Sequence, residues 1–394
     1  MNDSKIYKIR KRVFAHEELI SAESIQCISY SNLQDWNQIL TCYKALQRYP
    51  LPSHYIDGLK DFLFKPAYFA IYELSNPLLI VYRWPNGELR YFLLSSEGYL
   101  LEPDETSTWD SAFPFLKYSS SNNKLSDLAV PIDCAPINVG NWLWCPDNSN
   151  YTHFFFDSFV QLAMAQDKLG HDYINKFELP VITKPPGWQA ELFNLLSSPA
   201  YLHPSGYDHQ PFQIFLINKL LLPVLSHRLI ALDWLRSYLD LAFSKAHINE
   251  HSDSKNNDLI MVTRYDYRRR RITNIVEIEK LVVSYGGSLI DASRHSISEK
   301  LALFKQCKVC IAESSGCINF ALFAPESSHL IALTDPSVIT KPEFVPGGWV
   351  YTSGYANRTS FVTGEDPTNL PGSPLGSASY SLKVINSLLI RYLF

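Results

Sequence analysis

The segment from Leu259 to Leu333 constrains the fold of this 394-residue chain more than any other part. It alternates short apolar runs with stretches of helical periodicity, beginning with the continuous apolar run Leu259–Thr263. Such alternation predicts a parallel α/β domain whose sheet is covered on both faces. Ligands of open α/β sheets bind at the carboxyl ends of the strands. The polar residues that follow these predicted strands are therefore candidates for a binding site.

Cationic side chains and a loop of small residues follow two of these strands. The first strand is followed by Arg264 and then by four arginines that include Arg270 and Arg271, and the later strand leads into Glu313, Ser314, Ser315 and Gly316. Backbone N–H groups and the helix dipole attract anions where such a loop opens a helix, and arginine matches phosphate oxygens in pairs. The pattern favours a nucleoside diphosphate as ligand, and the alternative is a solvated turn with surface ion pairs.

Two polar residues mark predicted helix starts in the same segment. Asn274 stands three residues before Glu277, and Ser296 stands three residues before Glu299. Both spacings are those of a capping box, in which a side chain at the helix start and one in the first turn satisfy free backbone groups.

A histidine and an aspartate are spaced four residues apart in the other half of the chain. His153 and Asp157 would lie on one face of a predicted helix at about 153–169. A carboxylate can hold an imidazole in one tautomer, which suits a general base. The alternative is a pair that is close by chance, because such spacings are common.

The length of the chain predicts two domains, and the polar run 251–258 is the best linker. The predicted organisation is an N-terminal extension with a β-meander at 1–130, an N-terminal α/β domain at 131–250, a C-terminal α/β domain at 258–375, and a C-terminal helix at 376–394 that could pack back on the N-terminal domain. The strands of the meander are separated at Asn76-Pro77 and at 85–87, which are turn signals.

Charge and cysteine content narrow the class of protein. A formal net charge of −4 argues against a nucleic-acid partner. The odd count of seven cysteines favours a reducing compartment, and Cys310 of the Cys307/Cys310 pair is predicted to be a buried structural thiol. We expect no signal peptide and no membrane span, hence a cytoplasmic protein. A basic arm at 5–12 leaves peripheral association with the inner face of the membrane open.

Taken together, these residues resemble glycosyltransferase family 61. The shared features, in order, are a β-hairpin region, the motif Asn150, Tyr151, His153, Phe154 and Asp157, a helix with His227, Asp233, Trp234 and Arg236, the run Arg264, Arg270, Arg271, Ile272, Asn274 and Glu277, and the loop Glu313–Gly316. The resemblance spans roughly residues 70–335. Many members have Gly-Pro-His-Gly-Ala-Gly where this chain has Ala312–Cys317.

The resemblance implies an α/β protein with a GT-B-like fold, in which two Rossmann-like domains face a cleft. It further implies an inverting, metal-independent glycosyltransferase that uses a nucleotide-sugar, with a UDP-sugar favoured, and a glycan acceptor in capsular or surface polysaccharide synthesis. His153 would be the base and Asp157 would orient it. The donor would bind Arg264, Arg270, Arg271, Asn274, Glu313, Ser314, Ser315 and Gly316, with no cofactor or metal.

Three other functions stay open from the residues. The altered final loop fits a non-catalytic glycan- or nucleotide-binding relative that acts as a partner subunit. The arginine run fits nucleic-acid binding, against the acidic balance of the chain. A different transferase on a similar scaffold, such as a pyruvyl transferase acting on polysaccharide, is also open because fold does not fix chemistry.

Overall fold

The chain forms two compact units, Met1–Ser31 with Pro66–Arg228, and Asn32–Lys65 with Leu229–Phe394. The division after Arg228 precedes the predicted linker at the polar run 251–258. The computed structural model describes residues 4–8, 10–13, 24–29, 68–83, 89–94, 99–102, 127–131, 135–144, 154–180, 187–196, 201–202, 212–225, 235, 237–238, 241, 257–263, 272–291, 294–313, 324–325, 327–334, 359–368 and 377–394.

The first unit is built mainly of strands. They are β1 Ser4–Lys8, β2 Arg10–Val13, β3 Ser24–Ser29, β4 Tyr68–Ser75, β5 Leu78–Arg83, β6 Leu89–Leu94, β7 Tyr99–Glu102, β8 Asp127–Pro131, β9 Ile137–Leu143, β10 Leu179–Pro180, β11 Tyr201–Leu202 and β12 Phe212–Leu225. A π-helical turn, Phe154–Phe159, continues into α1 Val160–Leu169, which is followed by α2 His171–Ile174 and α3 Gly187–Leu195.

Strand β12 joins the two halves of this unit. One of its edges pairs in parallel with β9, and the other pairs antiparallel with β4 and β5. Beyond β9, a parallel bridge between Trp142 and Glu178 leads to β10, which pairs in parallel with β11. The parallel strands thus follow the order β11-β10-β9-β12, with α1 and α2 between β9 and β10 and α3 between β10 and β11.

The turn predicted at Asn76-Pro77 is wrong. Strands β4 and β5 lie end to end along the same edge of β12, in one register, with Ser75 opposite Lys219 and Leu78 opposite Leu216. Asn76 has φ 51°, and its N–H still donates to the Asn218 carbonyl at 3.0 Å. The residue pair only bends the strand, because β12, far away in sequence, supplies the partner that a local signal cannot reveal. Of the three strands predicted for the meander, β5 and β6 pair antiparallel, and β6 also pairs antiparallel with β7.

A polar cluster joins α2 to this sheet. Glu73 of β4 accepts hydrogen bonds from Lys219 of β12 and from the Tyr173 hydroxyl of α2, both at 2.8 Å. The hydrogen bond from Lys219 lowers the pKa of the Glu73 carboxyl, and burial together with the bond to Glu73 raises the pKa of Tyr173 to about 12. The cluster therefore keeps its carboxylate charged and its phenol neutral at physiological pH.

The second unit contains the parallel sheet predicted from the alternating segment. Its strands are β13 Leu259–Thr263, β14 Ser288–Asp291, β15 Val309–Glu313, β16 His329–Thr334, β17 Thr359–Thr363, β18 Glu365–Thr368 and β19 Ser377–Ser379, and its helices are α4 Ile275–Ser284, α5 Ile297–Phe304 and α6 Leu382–Leu393. Strands β13 to β17 are all parallel, in the order β14-β13-β15-β16-β17. The predicted succession from Leu259 is confirmed for β13, α4, β14, α5, β15 and β16, while the helix predicted after the Ser/Gly loop lies outside the described residues.

Helix α6 belongs to the core of the second unit. Its buried residues, Ile385 and Leu389, pack in one cluster with Ile311 of β15 and Ile331 of β16. These contacts bury one face of the helix within the second unit, and its packing on the N-terminal domain stays a prediction. Across the described part of the chain, every helix is too short or too polar to cross a membrane.

Candidate functional site

The carboxyl ends of the parallel strands in the second unit form one edge of the sheet. Thr263 at the end of β13 lies opposite Asp291 at the end of β14, and Glu313 ends β15 on the other side of β13. The strand order reverses between β13 and β15, since β14 lies outside β13 while β15 to β17 continue on the far side. Ligands of doubly wound sheets bind at such a switch point.

The two predicted donor-binding segments leave from this switch point. Arg264 is the next residue after Thr263, and Ser314 is the next residue after Glu313, whose side chain is half-buried. The segment 264–271, with its three predicted arginines, and the segment 314–323, with Ser314, Ser315 and Gly316, lie outside the described residues. Both segments therefore follow strands that end at the carboxyl edge, and the positions and contacts of their side chains stay a prediction.

Asn274 has a structural role that the sequence did not reveal. Its side-chain amide donates to the Tyr380 carbonyl at 2.8 Å and its amide oxygen accepts from the Tyr380 N–H at 3.0 Å. The capping box predicted at Asn274 and Glu277 is wrong, because this amide makes no cap contact with α4. Its predicted role in donor binding must be compatible with both bonds to Tyr380.

Helices α4 and α5 differ in whether a side chain caps their first backbone N–H groups. Ser296 and Glu299 form the predicted capping box of α5, in which the Ser296 N–H donates to the Glu299 carboxylate at 2.7 Å. These bonds, first of all the one from the Ser296 backbone, lower the pKa of Glu299. Helix α4, which follows the switch-point strand β13, has no such side-chain cap among its described contacts. Its first N–H groups are therefore better suited to an anion than those of α5.

We expect Asn274→Ala to lower the free energy of unfolding by about 1–3 kcal/mol, because it leaves both Tyr380 backbone groups without this partner. Urea denaturation measures the change. The matched control is Asn218→Ala, which removes one exposed bond to Asn141 and should cost less than about 1 kcal/mol. Equal losses in the two variants would contradict the structural role of Asn274.

A further set of polar residues, which is not among the residues predicted from the sequence, follows β14. Asp291 is only 7% exposed, and its carboxylate lies 3.1 Å from Nε of Arg294. The Asp291 carbonyl accepts from the Arg294 N–H at 3.1 Å and from Nδ1 of His295 at 2.9 Å. An aspartate that ends an apolar strand, followed by arginine three residues later, is the sequence signal that could have identified this turn.

The residues predicted for catalysis belong to the first unit. His153 lies outside the described residues. The backbone of Asp157 belongs to the π-helical turn Phe154–Phe159, and its side chain is not among the described ones. Phe154 is 1% exposed and makes edge-to-face contacts with Trp188 and Phe193 at 5.4 and 5.3 Å. The turn is thus anchored in the core. π-Helical turns occur frequently at functional sites.

The two cysteines of the C-x-x-C pair are buried free thiols, as predicted for Cys310. Burial raises the pKa of the Cys307 thiol to about 12, and its sulfur donates to the Val309 carbonyl at 3.1 Å. A thiol of this kind is unreactive at neutral pH. Within the described ranges, no group of three or more His, Cys, Asp or Glu side chains is arranged to hold a metal ion.

Comparison with known proteins gives one match to a family model, over part of the chain. Residues 151–331 match the family model of Glycosyltransferase 61. The matched range contains the π-helical turn, the switch point and every predicted site residue. No curated protein matches the chain. The match supports the resemblance that the sequence motifs indicated, over somewhat less than half of the chain.

Proposed function

We propose, on the premise of this family 61 match, that the chain is a glycosyltransferase that moves a sugar from a nucleotide-sugar donor to a glycan acceptor. The match carries the proposal, because it covers the motifs from which the activity was inferred. The finer proposal is an inverting, metal-independent enzyme that prefers a UDP-sugar and works in capsular or surface polysaccharide synthesis at the cytoplasmic face of the membrane.

The proposed fold is GT-B, with one Rossmann-like domain in each unit. Two observations support it. The second unit has five parallel strands in the order β14-β13-β15-β16-β17, which is a doubly wound order. The first unit has parallel strands in the order β11-β10-β9-β12, which corresponds to the first four strands of the 3-2-1-4 Rossmann order. The antiparallel strands on the other edge of β12 are then additions to that domain.

The donor is assigned to the carboxyl edge of the second sheet. Phosphates favour helix starts that carry free N–H groups and nearby arginines. Helix α4 starts directly after the segment that contains Arg264, Arg270 and Arg271, and Asn274 does not cap it. Glu313 cannot attract phosphate, so we assign it to a hydroxyl of the sugar or ribose.

The chemical step needs a base and a stabilised leaving group. The acceptor hydroxyl oxygen forms a bond to the anomeric carbon while the bond from that carbon to the diphosphate oxygen breaks, which inverts the configuration. We assign His153 to take the hydroxyl proton and Asp157 to orient the imidazole. The negative charge that develops on the diphosphate is stabilised by the arginines and the N–H groups of the second unit.

A non-catalytic nucleotide- or glycan-binding relative is the second candidate. The observation that favours it is Glu313, a half-buried carboxylate at the end of β15. Strand β15 lies next to β13, which leads to the arginines proposed to bind the phosphates. Such a protein would bind nucleotide without transferring sugar.

A thermal-shift screen of the full chain against UDP, GDP, CMP and their sugars tests the proposal. We expect a diphosphate to raise the melting temperature, because a ligand at 100 times its Kd stabilises the folded state by about 2.7 kcal/mol. Slow hydrolysis of the corresponding nucleotide-sugar should accompany binding. No shift with any nucleotide would overturn the donor site, and binding without any turnover would favour the non-catalytic candidate.

A further inference from the structure

The turn after β14 carries a cation in a defined orientation at the edge where the donor is proposed to bind. Asp291 lies opposite Thr263, the last residue of the switch-point strand β13. The Arg294 N–H donates back to the Asp291 carbonyl, so the chain turns at the edge and keeps Arg294 close to it. Arg294 therefore lies beside the strand end from which Arg264 follows.

The chemistry of the pair leaves most of the guanidinium available. Nε of Arg294 faces the Asp291 carboxylate at 3.1 Å, and that carboxylate is almost fully buried. Buried charges are paired in proteins, and this ion pair restrains the arginine. Guanidinium has five N–H donors, so the four on the terminal nitrogens are left for a ligand. The Arg294 side chain is 73% exposed, which makes these donors accessible.

The neighbouring groups of this turn bond to one another, and Arg294 can therefore bind an anionic ligand. Because a carbonyl oxygen only accepts, Nδ1 of His295 must carry the proton in its 2.9 Å bond to Asp291. The start of α5 is closed by Glu299, whose carboxylate accepts from the Ser296 N–H and hydroxyl. Among the described groups of this turn, the arginine is thus the one that suits a phosphate.

We propose that Arg294 is a further phosphate-binding side chain for the donor diphosphate, and that Asp291 is the positioning residue that orients it. The inference rests on the proposed function. It adds an arginine that follows β14 to the arginines that follow β13 at the switch point. The ligand class is a nucleoside diphosphate, since the terminal nitrogens of an arginine whose Nε faces a carboxylate can match two phosphate oxygens.

The second sheet also provides a matched control at its opposite edge. Lys308 precedes β15 and pairs with Asp258, which precedes β13, at 2.7 Å, and the Lys308 side chain is 60% exposed. Like Arg294, Lys308 is therefore an exposed cation that pairs with an aspartate of this sheet. The Lys308 pair lies at the amino ends of the strands. Lys308→Met removes the same charge as Arg294→Met but lies away from the carboxyl edge.

Calorimetric titration of the full chain with UDP and with uridine tests the inference, with GDP and guanosine instead if GDP is the diphosphate that the wild-type chain binds. Arg294→Met should weaken diphosphate binding about tenfold or more, which is the effect of losing a charge-assisted bond, and change nucleoside binding less than about twofold. The ratio of diphosphate affinity to nucleoside affinity is the quantity compared between variants. Arg294→Lys should recover part of the lost diphosphate affinity, and Asp291→Asn should lower this ratio.

The controls separate this inference from the proposed function. Lys308→Met should bind UDP like the wild-type chain, and circular dichroism confirms that each variant is folded. A wild-type chain that binds no nucleotide overturns the proposed function and this inference together. Wild-type binding with an unchanged preference in both Arg294→Met and Arg294→Lys overturns this inference alone, as does an equal loss for diphosphate and nucleoside.

Discussion

His153→Ala is expected to lower the turnover of the nucleotide-sugar by about 10²–10⁴-fold, which is the contribution of a positioned general base. The diphosphate affinity should stay within about twofold of wild type, since the donor is assigned to the second unit. Release of nucleoside diphosphate, with and without acceptor, measures the first quantity, and calorimetry measures the second.

Two further variants test whether the expected loss of turnover is specific to His153. His171→Ala removes an exposed histidine of α2, whose ring lies 3.1 Å from the Gln166 amide, and should leave turnover unchanged. Asp157→Asn should lower turnover and also move the acid limb of the pH–rate profile, because the imidazole would lose the charged partner that we propose for it. If His153→Ala turned over at the wild-type rate, His153 would not be the base. If donor affinity fell together with turnover, the assignment of His153 to the acceptor side would be wrong.

Phe304→Ala should destabilise the second unit by about 3–5 kcal/mol, because it empties the site of a large buried side chain. Phe304 ends α5 and is fully buried, and its carbonyl accepts from the Cys307 N–H. Urea denaturation followed by circular dichroism measures the loss. Diphosphate affinity at low temperature should survive in the folded fraction, because Phe304 lies in the core and not at the carboxyl edge.

The same substitution at an exposed site provides the control. Phe394 is 90% exposed, and its replacement by alanine should change the free energy of unfolding by less than about 0.5 kcal/mol. A loss in Phe394→Ala comparable with that of Phe304→Ala would mean that Phe394 is buried against something in solution. A loss below 1 kcal/mol in Phe304→Ala would contradict the core position of α5.

Local signals predicted the second unit well. The apolar run Leu259–Thr263 is a fully buried strand, and the capping box at Ser296 and Glu299 is formed as its spacing indicates. Each of these features depends on residues within a few positions of each other, so the sequence contains the whole interaction.

The same reasoning failed where the partner is distant in sequence. The Asn274 amide bonds Tyr380 in preference to the helix that follows it, across 106 residues. Asn76 and Pro77, a turn signal by composition, lie inside a continuous pairing with β12. Capping and turn preferences describe only the local competitors for a polar group, and a backbone partner brought close by the fold outcompetes them.

The sequence by itself determined that the second unit is a parallel α/β sheet, and its motifs indicated the glycosyltransferase family. Hydrophobic periodicity and turn chemistry are local, so they can be read without coordinates. Only the tertiary structure decided that β14 lies next to β13, which makes Asp291 and Arg294 neighbours of the switch point. Strand order results from the packing of helices on both faces of the sheet, and that packing depends on contacts between residues far apart in the chain.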